Sequence, residues 1–329
     1  MIPQLVLFSP VANTGVSSLA YHCAHRFAAG GLRVLAVDLG PQCHLTRLAL
    51  GDDFWESGDG DPIAPASVHD AVAPLWNGGA ELAPAEIRPL DDGLGLVAGD
   101  IALAAREEML AGRWAAALGG DPDAWRIVTA LREVIDDAAR RHQADLVIVD
   151  TGPELGALNR SIVCGASHLV LASTLDSFSL RAWEQCGPLL NRWRHEWHGM
   201  GQCVRLGQNL PFPSTCDLTG LVLLQPSGRN VRRPGSSELW KTRLVDAFAS
   251  HVGGLGPAGS ESHRSDLIYC LRSYQSLADM AWEARKPMFA LRSADGAVGS
   301  YAAHVTQCYD DYTALTRQLA ARLELANVS

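Results

Sequence analysis

Residues 5–47 read LVLFSPVANTGVSSLAYHCAHRFAAGGLRVLAVDLGPQCHLTR, and few architectures accommodate that order. The stretch opens on an apolar run at 5–8, followed by a turn-rich segment around Pro10, Asn13 and Gly15. Ser17 and Ser18 then lead a helical pattern with apolar positions at Leu19, Cys23 and Phe27, stopped by Gly30 and Gly31. A second apolar run at 34–37 ends on Asp38. Strand, loop, helix, strand in this spacing is the front half of a phosphate-binding βαβ unit.

The rest of the chain repeats that alternation. Residues 51–66 are acidic and rich in Gly and Pro, which predicts a surface loop. Beyond it, 67–92 holds one short helix at 68–76 and a Pro-interrupted connector, so 51–93 is expected to be a variable insert. A buried strand is expected at 94–99 and a helix at 101–118. Asp121 and Pro122 make a strong helix start, an N-cap carboxylate followed by proline at the first helical position. That helix should run to about residue 141 with Trp125, Val128, Leu131 and Ile135 on one face.

Residues 145–150 form a continuous apolar run ending on Asp150. Such a run suits a central parallel strand that delivers a carboxylate to the carboxyl edge of the sheet. Further strands are expected at 168–173 and 219–224. Helices are expected at 177–197, from Ser236 or Ser237, and at 299–325, with a loop over 199–217. The pattern predicts one α/β domain over 1–329, a doubly wound, mostly parallel sheet in a three-layer α/β/α sandwich.

The first stretch resembles the ParA/MinD-type ATPases, whose deviant Walker A loop reads roughly K-G-G-V-G/S-K-T-T. Here that loop falls on Val11-Ala12-Asn13-Thr14-Gly15-Val16-Ser17-Ser18. The family's D-x-D-P-Q-C/G-N-L/A-T box falls on residues 38–46, where Asp38 keeps the first carboxylate and Gly40 replaces the second. Residues 151–160, TGPELGALNR, follow the next family segment, and AWEARKPMF at 281–289 resembles the closing segment of a branch with a K-G-G-V-G-R-type loop. The likeness covers about 5–50 and 94–325.

What the resemblance implies is an ATP and Mg²⁺ site. Asn13, Thr14, Gly15, Val16, Ser17 and Ser18 would face the phosphates, Ser17 and Asp150 would hold the metal, and Asp38 would orient the attacking water. Each carboxylate also admits a plainer role, capping nearby backbone N–H groups at a strand end. Both lysine positions of the loop are valines, Val11 and Val16. A charge-assisted hydrogen bond is worth roughly 1.5–3 kcal/mol, so their loss weakens nucleotide binding by orders of magnitude. A donor missing from the developing charge costs about 10²–10³ in rate. Val11 stands where a signature lysine would reach the partner's phosphates across a dimer. Arg229, Arg232, Arg233 and Lys286 are the substitutes available by position.

The family setting implies a homodimer, or a heterodimer with a related ATPase, and a protein partner of the partition type. A net charge of −9 does not support DNA binding by the whole surface, and leaves only the local cluster Arg229, Arg232 and Arg233. No apolar stretch reaches the roughly 18 residues of a membrane span, and eight scattered cysteines without a C-x-x-C pair suggest reduced thiols in a cytoplasmic chain. Trp183, Trp193 and Trp197 fall on one expected helix and should be core or interface residues.

Three functions remain open on the sequence. One is a nucleotide-switched ParA/MinD-like dimer with weakened ATP binding and hydrolysis, acting in partitioning or positioning. Another is a pseudo-ATPase binding module that pairs with a competent partner. The third, a transferase or amide ligase on the same fold, has no substrate-binding signature in these residues.

Overall fold

The computed structural model describes residues 2–55, 66–207, 216–225, 236–252 and 267–325. Its strands are β1 (Gln4–Phe8), β2 (Val34–Asp38), β3 (Arg88–Asp91), β4 (Leu94–Val97), β5 (Leu146–Asp150), β6 (His168–Thr174), β7 (Asp217–Leu224) and β8 (Leu267–Leu271). They form one sheet in the order β3-β4-β2-β5-β1-β6-β7-β8, parallel except for the β3–β4 pair. The expected doubly wound α/β/α architecture is therefore the observed one.

Strand residues alternate between two apolar cores, as a period of two requires. Leu5, Leu7, Val34, Ala36, Leu146 and Ile148 face helices α1 (Val16–Ala29), α9 (Gln275–Ala284) and α10 (Ser300–Arg322). Val6, Phe8, Leu35, Val37, Val147 and Val149 face the other layer. That layer contains α3 (Val68–Trp76), α4 (Glu107–Leu118), α5 (Pro122–His142), α6 (Ala157–Gly165), α7 (Ser177–Gly207) and α8 (Ser236–His251). By the same parity, Asp38 and Asp150 project toward the α1 layer. The remaining helix, α2 (His44–Leu50), follows β2.

Local signals account for most boundaries. Asp121 caps α5 through Asp123 N–H at 2.9 Å and Ala124 N–H at 3.2 Å, with Pro122 at the first helical position. Ser67 and Asp70 form a reciprocal capping box on α3, which spans the predicted residues. The expected helix at 101–118 is a 3₁₀ segment, Ile101–Arg106, running into α4.

Three elements depart further from expectation. The connector expected before residue 94 contains β3, an antiparallel edge strand whose Pro89 sits beside a register shift, where a missing N–H is tolerated. Helix α7 continues past residue 197 to Gly207 despite an internal Pro188, because Trp183, Leu190, Trp193, Trp197 and Met200 form a buried stripe. The three tryptophans are thus core residues, and Trp197 lies against Trp125 at 4.8 Å between ring centroids. Third, the loop expected at 199–217 is helix in its first part, and 208–215 lie outside the described residues.

Among the described residues, no helix is long and apolar enough to cross a membrane.

Candidate functional site

β1 ends at Phe8, and the chain turns through residues 9–15 before α1 begins. Two of those residues, Asn13 (φ 58°) and Gly15 (φ 96°), are left-handed. Asn is one of the few side chains that tolerates this conformation, so the loop keeps a curvature that two glycines would otherwise provide. Thr14 closes the loop on itself. Its hydroxyl donates to the Val11 carbonyl at 2.5 Å and lies 3.0 Å from the Ser9 hydroxyl, which accepts the Val11 N–H at 3.2 Å.

The first intrahelical bond of α1 runs from Leu19 N–H to the Gly15 carbonyl, and no side chain caps the helix. The N–H groups of Val16, Ser17 and Ser18 therefore stand at an uncapped helix N-terminus. A concentration of amide donors at the positive end of the helix dipole suits an anion. These three residues, with Val11, Ala12, Asn13, Thr14 and Gly15, line a cavity of about 490 Å³.

Asp150 reaches the same cavity from the end of β5. It is 1% exposed and has the Ser17 hydroxyl as a neighbour that favours its charged form, yet its Oδ1 has no partner. Burial, reinforced by the neighbouring Asp38 charge, pushes its carboxyl well above the ordinary carboxylate range. An unpaired buried carboxylate oxygen is costly, and a bound cation would satisfy it. Beside it, the Thr151 hydroxyl donates to the Leu7 carbonyl, and Asn159 Nδ2 donates to the Gly152 and Glu154 carbonyls at 2.7 Å each. These bonds shape the 151–154 wall.

Asp38 lies directly across from Asp150, the two being Cα partners in the β2–β5 pairing. Its carboxylate is fully buried and is not among the groups lining the cavity. It accepts bonds from Gly40 N–H at 3.1 Å, Thr46 N–H at 2.8 Å and the Thr46 hydroxyl at 2.7 Å. Burial raises its pKa, and those bonds work against the rise. The Thr46 hydroxyl also accepts Gly99 N–H at 2.9 Å, which joins the ends of β2 and β4 to the first turn of α2. A Cβ at Gly99 would meet Asp38 Cγ at 2.9 Å, so the close approach requires glycine.

Neither lysine position carries a cation: both are valines at the cavity wall. Val16 is 9% exposed and belongs to the apolar core with Val222 and Leu224. Val11 is half-buried at the cavity wall. Gly40 could carry a side chain, since a Cβ there meets only ordinary contacts, the nearest at 3.4 Å. Lys286 is engaged by Asp295 at 2.7 and 2.9 Å and does not line the cavity. Arg229, Arg232 and Arg233 lie outside the described residues.

Among the lining residues that sequence reasoning missed are Gln42, His44, Arg47 and Trp282. Gln42 and His44 stand inside the box at 38–46, Arg47 directly follows it, and Trp282 stands inside the segment at 281–289. The weak available signal was therefore their place in those segments.

Behind the loop, His22 ties α1 to the end of the chain. Its Nδ1 bonds the Ser18 carbonyl at 2.7 Å, its Nε2 accepts Met288 N–H at 3.0 Å, and its ring stacks on Tyr312. Burial holds it neutral, with a pKa lowered to about 4.

No family model and no curated protein matches the sequence. Solved structures do match. Protein DIP2308 from Corynebacterium diphtheriae superposes with a TM-score of 0.74 at 19% identity, covering 98% of both chains. Apo McdA from Cyanothece gives 0.59 at 13%, covering 97% of this chain and all of that one. A Borrelia burgdorferi plasmid partition protein bound to AMPPNP gives 0.57 at 13%, covering 98% of this chain and all of that one. At such identities the likeness is one of fold, and that fold is the ParA/MinD-like P-loop NTPase fold.

Proposed function

We propose that the cleft binds ATP with Mg²⁺ and that the chain is a ParA/MinD-like switch protein of weakened ATP binding and hydrolysis. The observation that carries this reading is the unpartnered, buried Oδ1 of Asp150 beside Ser17 at the uncapped N-terminus of α1. In this reading, the amides of residues 13–18 cradle the phosphates, as a helix N-terminus favours. The Ser17 hydroxyl and Asp150 would hold Mg²⁺, which supplies charge neutralisation to the phosphate oxygens. Among the described residues no group of three His, Cys, Asp or Glu could hold a metal, which suits an ion that depends on the nucleotide for ligands. The Borrelia neighbour's AMPPNP supports the same choice of ligand.

Asp38 receives a different role from the water-orienting one implied by the resemblance. With three donors on its carboxylate it positions Gly40 and Thr46, and through Thr46 the start of α2. Slow turnover follows, because no loop lysine meets the charge that develops on the transferred group.

Switching would take the form of an ATP-sandwich dimer acting in partitioning or positioning, with a partition-type protein partner. Its support is the exposure of Ile101, Leu155 and Phe178, which follow the carboxyl ends of β4, β5 and β6 and so share an edge with the cleft. The saturated Asp38 and the buried Val16 favour a second reading, a pseudo-ATPase that binds nucleotide, or a competent partner, without hydrolysis.

Titration calorimetry with ATP and Mg²⁺ tests the site. Wild type should bind in the micromolar to millimolar range and Asp150→Asn should lose the Mg²⁺-dependent part. Absence of heat from wild type at millimolar ATP removes the nucleotide reading. Phosphate release at the rate typical of lysine-bearing relatives removes the pseudo-ATPase.

A further inference from the structure

Outside the phosphate loop, the cavity wall carries a cation of its own, Arg47. Among the described residues that line the cavity, Arg47 alone bears a permanent positive charge. It extends from α2, whose first turn is pinned by the two Thr46 bonds to Asp38. Its Nε donates to Asp52 Oδ1 at 2.7 Å, and its guanidinium lies 5.5 Å from the ring centroid of Trp282, another lining residue. Arg47 and Asp52 are 43% and 55% exposed, so water and salt screen their attraction strongly.

We propose that Arg47 supplies the phosphate-directed positive charge that the loop lacks, with Asp52 holding the guanidinium aside until a polyphosphate enters. This rests on the reading of the cleft as a nucleotide site. A polyphosphate with several charges competes well against one exposed carboxylate, and a guanidinium fork matches two phosphate oxygens at once. Trp282 keeps the planar group at the cavity wall while it changes partner. The position also explains how a loop with valine at both lysine sites keeps electrostatic complementarity to an anion.

The arrangement makes Asp52 a restraint, which gives two variants opposite signs. Calorimetric titrations of the full chain with ATP·Mg²⁺ and ADP·Mg²⁺ should be compared at low and moderate salt. Arg47→Ala should weaken ATP binding about 10- to 100-fold, with a smaller loss for ADP and a shallower salt dependence. Arg47→Lys should recover part of the loss. Asp52→Ala should tighten ATP binding a few-fold, an outcome that damage to the fold does not produce. Unchanged affinity in Arg47→Ala while wild type binds ATP overturns this inference and leaves the nucleotide site standing. Should Arg47→Ala melt at a markedly lower temperature, Asp52→Ala decides, and unchanged or weaker binding there overturns the proposal. No binding by wild type overturns both readings.

Discussion

Asp38 and Asp150 are register partners at the carboxyl ends of neighbouring parallel strands, yet one carboxylate is fully engaged and the other keeps an unpaired oxygen. Two groups of identical chemistry thus receive opposite assignments from their surroundings. Asp38 organises the backbone behind the cleft, and Asp150 faces into it.

Asp38→Ala should therefore act on stability. It leaves Gly40 N–H and Thr46 N–H without acceptors in a buried site, a loss of about 2–5 kcal/mol. Urea unfolding should show the midpoint shift. Asp150→Asn should change stability by less than about 1 kcal/mol, since it removes a buried charge and not a saturated network. A small effect of Asp38→Ala on the unfolding midpoint would refute the structural assignment.

Restoring Val11→Lys, Val16→Lys and Gly40→Asp together should raise both ATP affinity and turnover. Two regained charge-assisted contacts correspond to about a hundredfold or more in affinity. Gly40 has ordinary space for a side chain, whereas Val16→Lys withdraws a valine from the core, so a modest drop in melting temperature should accompany the gain. Phosphate release and thermal melts on the triple variant measure both effects. A triple variant that folds and stays inactive would show that the cleft lacks more than its lysines.

Gly15→Ala isolates the backbone contribution of the loop. The nearest atom to an added Cβ is Leu224 Cδ1 at 3.8 Å, so space is available and only the φ of 96° opposes the change. The expected cost is about 1–2 kcal/mol in thermal or urea unfolding. Asn13→Gly, at φ 58°, should be close to neutral in the same measurement.

His22 predicts an acid-side loss of stability. Its pKa is about 4 in the folded chain and near 6.5 when unfolded, so between these values the unfolded chain binds more protons. Stability should fall as pH drops from about 6.5 toward 4, by roughly 3 kcal/mol from this residue. His22→Gln, which keeps an acceptor for Met288 N–H, should flatten that part of the profile. An identical pH dependence in wild type and variant would reassign the effect to other groups, His25 first among them.

Most of the sheet was legible because its central strands are short apolar runs ending at Asp38, Asp150 or a turn, and because Asp121 and Pro122 announce α5. Strand β3 was not, since an edge strand with Arg88 and Pro89 carries no apolar run. The length of α7 was hidden by Pro188 and by Gly199 and Gly201, whose cost is outweighed by packing that no local window contains. The phosphate loop and Asp150 could be found by their places at strand ends. Arg47 and Trp282 carried only the weak signal of their place at or in the matched segments, because it is the packing of α2 and α9 around one cavity that makes neighbours of residues so distant along the chain.

The imidazole of His22 gives the phosphate-facing helix a second anchor far from its own loop. One nitrogen is fixed to α1 itself and the other to Met288, while Tyr312 of α10 covers the ring. Any displacement of α1 would therefore have to carry residues 287–289 and the closing helix with it, since all three elements hold the same buried ring.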